Sequence, residues 1–318
     1  MIGVDLRLES HRADLTRHCY RMLGSPFEAE DAVQETMVRA WRSRDRFERR
    51  ASLRTWLHAI ATNVCLDMLR SAQRRALPMD LGAAASAGSA LGSPLPEARW
   101  VLPIPDRLVV DDAADPAQAV LARESIRLAL VAALQQLPPR QRAALLLREV
   151  LEWRSEEIAS LLGTSVPAVN SALQRARSTL ATRNLTPADL LAPADPAQRE
   201  LLERYVDAFE RADVRALVAL LHEDATMSMP PFAWWLRGRV QIERALAGSD
   251  ACREARLLPT AANGLPAFGQ YRRQESGGTL DPFALVVLEV ADGSIRRITN
   301  HLFGARLFAL FDLPARLR

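Results

Sequence analysis

Lysine is absent from this sequence, so all 41 of its fixed basic side chains are arginines. That absence reads as a coding bias and carries no chemistry. Cysteine is nearly as scarce. Cys19, Cys65 and Cys252 stand far apart, which excludes a disulfide framework and a metal-ligand spacing. They read as small buried apolar residues. No apolar run approaches the roughly 20 residues of a membrane-spanning helix. The first residues, MIGVDLRLESHRADL, are charged and helix-patterned, with no apolar leader core. These absences predict a cytoplasmic protein with no membrane contact, no metal and no cofactor.

What remains is an ordinary globular composition, 49% hydrophobic and 25% charged over 318 residues. That is enough chain for two or three domains, each with a core. The net charge of +3 hides an uneven distribution. Residues 1–75 hold 14 arginines against 10 acidic residues, and residues 118–185 hold 9 against 5. Residues 76–117 between them hold 2 against 6, and 186–318 are close to balanced at 16 against 17. Two basic blocks around an acidic connector fit a nucleic-acid-binding half joined to a half that is not.

The second basic block is the most explicit. In LPPRQRAALLLREVLEW, Pro138 and Pro139 sit where a helix can begin, and Ala143, Leu146, Leu147 and Val150 follow at helical spacing. SEEIASLLG reads as a second helix, with Ser155 as its cap, Glu156 and Glu157 at its positive start and Gly163 at its end. After a short turn, Ser165 caps VPAVNSALQRARSTL. Val166, Val169, Leu173, Ala176 and Leu180 form its apolar stripe; Ala168, Asn170, Ser171, Gln174, Arg175 and Arg177 lie outside it. This is the order of a helix-turn-helix, whose second helix reads DNA. Asn and Gln suit adenine edges, and Arg suits guanine or phosphate. By spacing alone, a helical hairpin with a solvated face is the alternative.

The words LPPRQRAALLLRE and SEEIASLLGTSVPAVNSALQRAR resemble region 4 of bacterial extracytoplasmic-function sigma factors, of the sigma-70 family, which reads the −35 promoter element. The resemblance implies that Ser165, Ala168, Asn170, Ser171, Gln174, Arg175 and Arg177 face DNA. Many members carry basic residues where this chain has Asn170 and Ala172, so its base preference is its own.

The first block reads as a three- or four-helix bundle. Leu6–Leu23 is an amphipathic helix ended by Gly24-Ser25-Pro26, and Ala32, Val33, Thr36, Met37, Ala40 and Trp41 form the face of a second. A third starts near Ser52, with Leu53, Trp56, Leu57, Ile60, Ala61, Val64 and Leu69 on its stripe. Taken alone, Trp41 and Trp56 are core residues. DAVQETMVRAW and FERRASLRTWLHAIATNVCLDMLR resemble region 2 of the same family. That implies that Asp31, Gln34, Glu35 and Arg39 dock on the β′ clamp helices of core RNA polymerase, with the β flap as a further contact. It also implies that Arg50, Arg54, Trp56 and Asn63 engage the −10 element, with Arg70, Arg74 and Arg75 extending a cationic track for the melted strand.

Residues 76–117 are rich in Ala, Gly, Ser and Pro and have no sustained period, as expected of a flexible acidic tether. In the family the linker threads toward the RNA exit path, and Asp106, Asp111, Asp112 and Asp115 can imitate nucleic-acid charge there. Trp100, Pro103, Ile104 and Pro105 are candidate anchors.

After a hinge marked by Pro187, Pro193 and Pro196, the pattern changes. Two helices, 198–210 and 214–221, lead past His222-Glu223-Asp224 into five strand-like segments, with a short helix at 240–247. Asn263-Gly264 and Asp292-Gly293 mark hairpin turns. MPPFAWWLRGR, NGLPAF, ADGSIRRITNHLF and FDLPARL resemble the SnoaL-like cone domains fused to a subset of these sigma factors. The expected fold is therefore multi-domain. Two all-α domains, a helical bundle at 1–75 and a helix-turn-helix at 118–185, precede an α+β SnoaL-like cone at 197–318. Asp224, Met227, Trp234, Trp235, Arg237, His301 and Phe303 are its candidate pocket residues, with His222 a further polar candidate and Met229 a further apolar one. The implied function is a sigma factor that binds core RNA polymerase and promoter DNA and is not an enzyme. Its tail is a regulator open to a small-molecule ligand or an anti-sigma protein. An operator-binding regulator and a ligand-converting enzyme fused to a DNA-binding module are the alternatives.

Overall fold

A computed structural model describes residues 8–47, 52–70, 74–110, 122–123, 125–181, 196–249, 252–273 and 278–317. The chain divides into two compact units, Met1–Ala76 with Val101–Leu185 and Leu77–Trp100 with Thr186–Arg318.

In the first unit, α1 (Arg12–Leu23) ends where Gly24 turns left-handed at φ 73° and returns its N–H to the Tyr20 carbonyl. Ser25 caps α2 (Pro26–Arg42) through the Glu28 N–H, and Ser52 caps α3 (Leu53–Met68) through the Thr55 N–H. Leu15, Cys19, Met22, Ala29, Val33, Leu57, Ala61 and Cys65 are buried in these three helices. All three cysteines are free and buried, as the sequence implies. Trp41 departs from expectation, because it is 61% exposed. Trp56 is half-buried and stacks on Phe47 at 4.9 Å.

The same unit contains α4 (Leu128–Gln135), α5 (Pro139–Glu149), α6 (Ser155–Leu162) and α7 (Val166–Ala181). The buried guanidinium of Arg142 on α5 joins this half to the first. It donates to the Gln135 side chain and to the carbonyls of Gln135, Leu137 and Met22. Gln135 in turn donates to the Arg21 carbonyl, 114 positions away.

The described part of the connector is not an unstructured tether. Residues 101–110 lie on the helical unit, where Val101, Leu102 and Ile104 are buried and Leu102 accepts the Tyr20 hydroxyl at 2.7 Å. Residues 77–100 belong to the second unit. Asp111, Asp112 and Asp115 lie outside the described residues, as do Pro187 and Pro193.

The second unit opens with α8 (Pro196–Glu210) and α9 (Val214–Ala219). His222, Glu223 and Asp224 fall inside β1 (Leu221–Ser228) and do not precede it. Then follow β2 (Trp235–Arg237), α10 (Arg239–Ala247), β3 (Ala255–Ala262), β4 (Leu265–Arg273), β5 (Leu280–Ala291), β6 (Ser294–His301) and α11 (Ala305–Leu310). The sheet order is β2-β1-β6-β5-β4-β3. Its β1–β6 pair is parallel, so the sheet is mixed, while β3 to β6 form antiparallel hairpins. Asn263-Gly264 and Asp292-Gly293 turn with positive φ at both residues, as hairpin turns require. Alternation on β4 sends Phe268, Gln270 and Arg272 to one face and Tyr271 to the other, where it meets Phe308 at 5.1 Å. Two elements of this unit escape sequence reading, the three-residue edge strand β2 and the closing helix α11, as does α4 in the first.

Candidate functional site

The recognition surface is built by α6 and α7. Gly163 at φ 59° ends α6 and lets the Thr164 N–H reach the Ala159 carbonyl. Ser165 then caps α7 by accepting from the Ala168 N–H. The Ser155 cap is incorrect: Arg154 precedes the helix, its N–H is taken by the Glu157 carboxylate at 2.8 Å, and Ser155 is the first helical residue. Its hydroxyl donates instead to the Asn170 side-chain oxygen at 3.1 Å, bracing α7 against α6. Val169, Leu173 and Ala176 are buried; Val166 and Leu180 are half-buried. Ser165, Ala168, Asn170, Ser171, Gln174, Arg175 and Arg177 are all exposed on one helical surface. Arg177 is held by Glu149 at 2.5 Å.

On α2, Asp31 and Gln34 are exposed, and Glu35 and Arg39 are half-exposed. Glu35 and Arg39 pair at 2.6 Å, and Arg39 reaches Asp67 on α3 at 3.6 Å. Val38 and Trp41 are exposed on the same helix, with the Arg44 guanidinium 4.7 Å from the centre of the Trp41 ring. Asp31, Gln34, Val38 and Trp41 thus form one outward stripe at spacings of three and four.

The expected −10 set is only partly assembled. Arg54 is half-exposed but held by Asp14 at 2.7 Å, and Asn63, Arg70 and Arg74 are exposed. Arg75 is not part of a cationic track: it is buried against Glu28 at 2.5 Å. Arg50 lies outside the described residues. Asn63 and Arg70 share a groove of about 520 Å³ with Pro138, Arg140, Leu161 and Leu162.

The tail contains an apolar cavity of about 370 Å³. Met227, Met229 and Trp234 line it, as expected, and the other proposed pocket residues do not. Asp224 and Arg237 are exposed and pair with each other at 3.5 Å. Trp235 donates its indole N–H to the Gly82 carbonyl at 3.0 Å. His301 is fully buried, tilted against Phe303, and neither ring nitrogen finds a hydrogen-bond partner among the described residues. Burial drives its pKa down to about 3, so the ring is neutral. The residues missed include Tyr205, Phe209, Gln270, Arg272, Phe283 and Asn300. Ala87, Ser89 and Leu91 of the connector also line the cavity. Among the described lining residues there is no Asp, Glu or His.

Comparison with known proteins accounts for this arrangement. The chain matches the family models Sigma-70 region 2 over residues 8–75, Sigma-70 region 4 over 127–180 and SnoaL-like domain over 202–298. It is 46% identical to the ECF RNA polymerase sigma factor SigG of Mycobacterium tuberculosis over 312 residues, 96% of this chain and 82% of that protein. The chain belongs to the ECF RNA polymerase sigma factors.

A second relative of this sigma factor is SigJ of the same organism, 34% identical over 243 residues, 76% of this chain and 68% of that one. The crystal structure of SigJ shares its fold, with a TM-score of 0.60 at 24% identity over 96% of this chain and 98% of that one. In the sigma factor, Val38 and Trp41 were the legible omissions. They continue the spacing of Asp31 and Gln34, but Trp41 was assigned to the core by its apolar character and Val38 was assigned to neither face. The cavity residues of β4 and β6 left no comparable signal, because each strand supplies only one or two of them.

Proposed function

We propose that this sigma factor directs core RNA polymerase to promoters and that its tail modulates this activity without catalysis, in the cytoplasm. The α2 stripe is the polymerase contact, for the β′ clamp helices, and α7 is the −35 reader, its half of the unit also contacting the β flap. Arg54, Trp56, Asn63, Arg70 and Arg74 serve the −10 element. The observation that carries the reading is the outward stripe on α2 together with the exposed polar face of α7, on a chain of this family. Trp41 and Val38 supply the apolar anchor that a protein interface needs at its centre, ringed by charge. Gln174 and Arg175 can read base edges, while Arg177 can contact a phosphate only by leaving Glu149.

The helical unit must open to work. Elements centred near −10 and −35 lie about 85 Å apart at ~3.4 Å per base pair, whereas a compact unit of this length is about 40 Å across. Asn63 and Arg70 stand in the groove beside Pro138 and Leu161, so separating the two halves widens the groove for DNA as it creates the span. An anti-sigma protein that favours the closed arrangement would silence the factor by the same route.

A non-catalytic tail is supported by the cavity wall. General acid–base work needs a titratable group within reach of the reacting atoms. Asp224 and Arg237 are exposed away from the cavity, and His301 is buried outside its lining. The test is promoter-dependent transcription with purified core polymerase, comparing the whole chain with one ending at Thr186. Polymerase binding by both, with activity changed by truncation, is the expected result. Specific DNA binding without any polymerase binding would support an operator-binding regulator and overturn the proposal.

A further inference from the structure

The tail cavity has the chemistry of a selective site. Its walls are apolar and aromatic, from Tyr205, Phe209, Met227, Met229, Trp234 and Phe283, and its volume is at the low end of ordinary small-molecule pockets, about 300–1,000 Å³. One fixed charge lines it among the described residues, the guanidinium of Arg272. This group lies 4.7 Å from the centre of the Phe283 ring, and no carboxylate pairs with it among the described residues. Asp281, its register partner on β5, is taken by Arg316 at 2.9 Å. The thiol of Cys252, pushed up to about 11 by burial, and the phenol of Tyr205, also raised by burial, supply no negative charge. Gln270, two positions before Arg272 on the same face, and Asn300 on β6 add amide groups to the wall.

Part of the wall is the connector itself. Its segment 82–95 is fastened to the domain mostly through the backbone. The Ala85 N–H donates to the Trp235 carbonyl at 2.8 Å and the Leu95 N–H to the Pro231 carbonyl at 2.8 Å. The Ala87 N–H donates to the Gln241 side chain at 3.0 Å, and the Trp234 indole N–H to the Ser89 hydroxyl at 3.2 Å. Between these bonds, Ala87, Ser89 and Leu91 face the cavity.

We propose that this cavity binds an apolar molecule bearing one anionic group, with Arg272 receiving the anion and connector segment 82–95 closing over the apolar body. A carboxylate gains a charge-assisted bond there, and an uncharged analogue leaves the guanidinium unpaired. Since the strap is continuous with the chain between the two DNA-binding halves, a bound ligand tightens the segment whose freedom governs their separation. The inference rests on the regulatory reading of the tail.

The test uses the full chain, with 8-anilino-1-naphthalenesulfonate as fluorescent probe and decanoate or decanol as competitor. The probe is expected to bind saturably, and decanoate to displace it about tenfold more effectively than decanol. Arg272→Gln should remove that preference, while Arg273→Gln, at a side chain paired with Glu254, should keep it. Ala245→Phe, which fills the cavity, should abolish saturable binding. Amide exchange at Ala85, Ala87 and Leu95 should slow with decanoate. Equal displacement by decanoate and decanol, or saturable binding that persists in Ala245→Phe, would overturn the site. Unchanged exchange in the segment would overturn the strap. No polymerase enters this assay, so its failure and a failure of promoter recognition are separate results.

Discussion

The helical unit and the tail place their polar chemistry in opposite directions. On α2 and α7 the functional groups point outward from an apolar seam, so each helix offers a surface that a larger partner can cover. In the tail, Gln270, Arg272 and Asn300 line an enclosed apolar space, and the exposed Asp224 and Arg237 satisfy each other. The difference teaches what each half can recognise. Outward polar helices suit macromolecules, whose own surface completes the desolvation. An inward guanidinium suits a small molecule that enters alone.

That contrast can be broken first by locking the helical unit. Asn63→Cys with Leu161→Cys, joined by a short cleavable bis-maleimide, should abolish promoter-dependent transcription and retain polymerase binding. Cleaving the linker should restore activity. Removing the α2 anchor should come next. Val38→Ser with Trp41→Ala should weaken core polymerase binding by about 2 kcal/mol or more in a competition assay, whereas Asp224→Asn in the tail should leave it unchanged.

The DNA-facing surface sharpens the comparison further. Arg175→Ala should cost about 1–3 kcal/mol against a promoter and relax base preference if it reads an edge. If it holds a phosphate, affinity should fall uniformly, with the salt slope reduced by about one. Inside the unit, Arg142→Met leaves the carbonyls of Met22, Gln135 and Leu137 without their donor. The cost should be about 1–3 kcal/mol in chemical denaturation.

Acid acts on the same comparison through the buried histidines. Burial, reinforced by the charges of His58 and Arg21, holds His18 below its ordinary 6.5. Burial also lowers His58, against the opposing pull of Asp14. Each therefore takes up a proton less readily in the folded chain than in the unfolded one. Their contribution is whole above pH 6.5 and declines as pH falls below it, by up to about 1.4 kcal/mol per histidine per pH unit. Denaturation at pH 7.5 and 5.5 should show this loss. His18→Gln with His58→Gln should remove most of it, His301 in the tail supplying the remainder.

What the sequence reveals follows the same division. The α7 face is legible because Val169, Leu173 and Ala176 recur with the helical period and every residue between them but Ala172 is exposed. Trp41 is misread by the same rule, since an apolar residue adjoining a buried stripe is assigned to it. The cavity is assembled across sequence separations that no local period reports; Trp234 and Ser89 are 145 positions apart. The connector hides for a different reason. Ala85 and Leu95 hold the domain through backbone N–H groups, which any residue but proline possesses, and the Ala85 bond caps the exposed edge strand β2. Composition registers only the small flexible side chains and predicts a tether.

The central claim is tested most directly by permanganate footprinting of promoter DNA mixed with core polymerase and the full chain. Reactive thymines confined to the −10 element, present with both proteins and absent with either alone, are the predicted result. A footprint made by this chain without polymerase, with no melted thymines when polymerase is added, would contradict it.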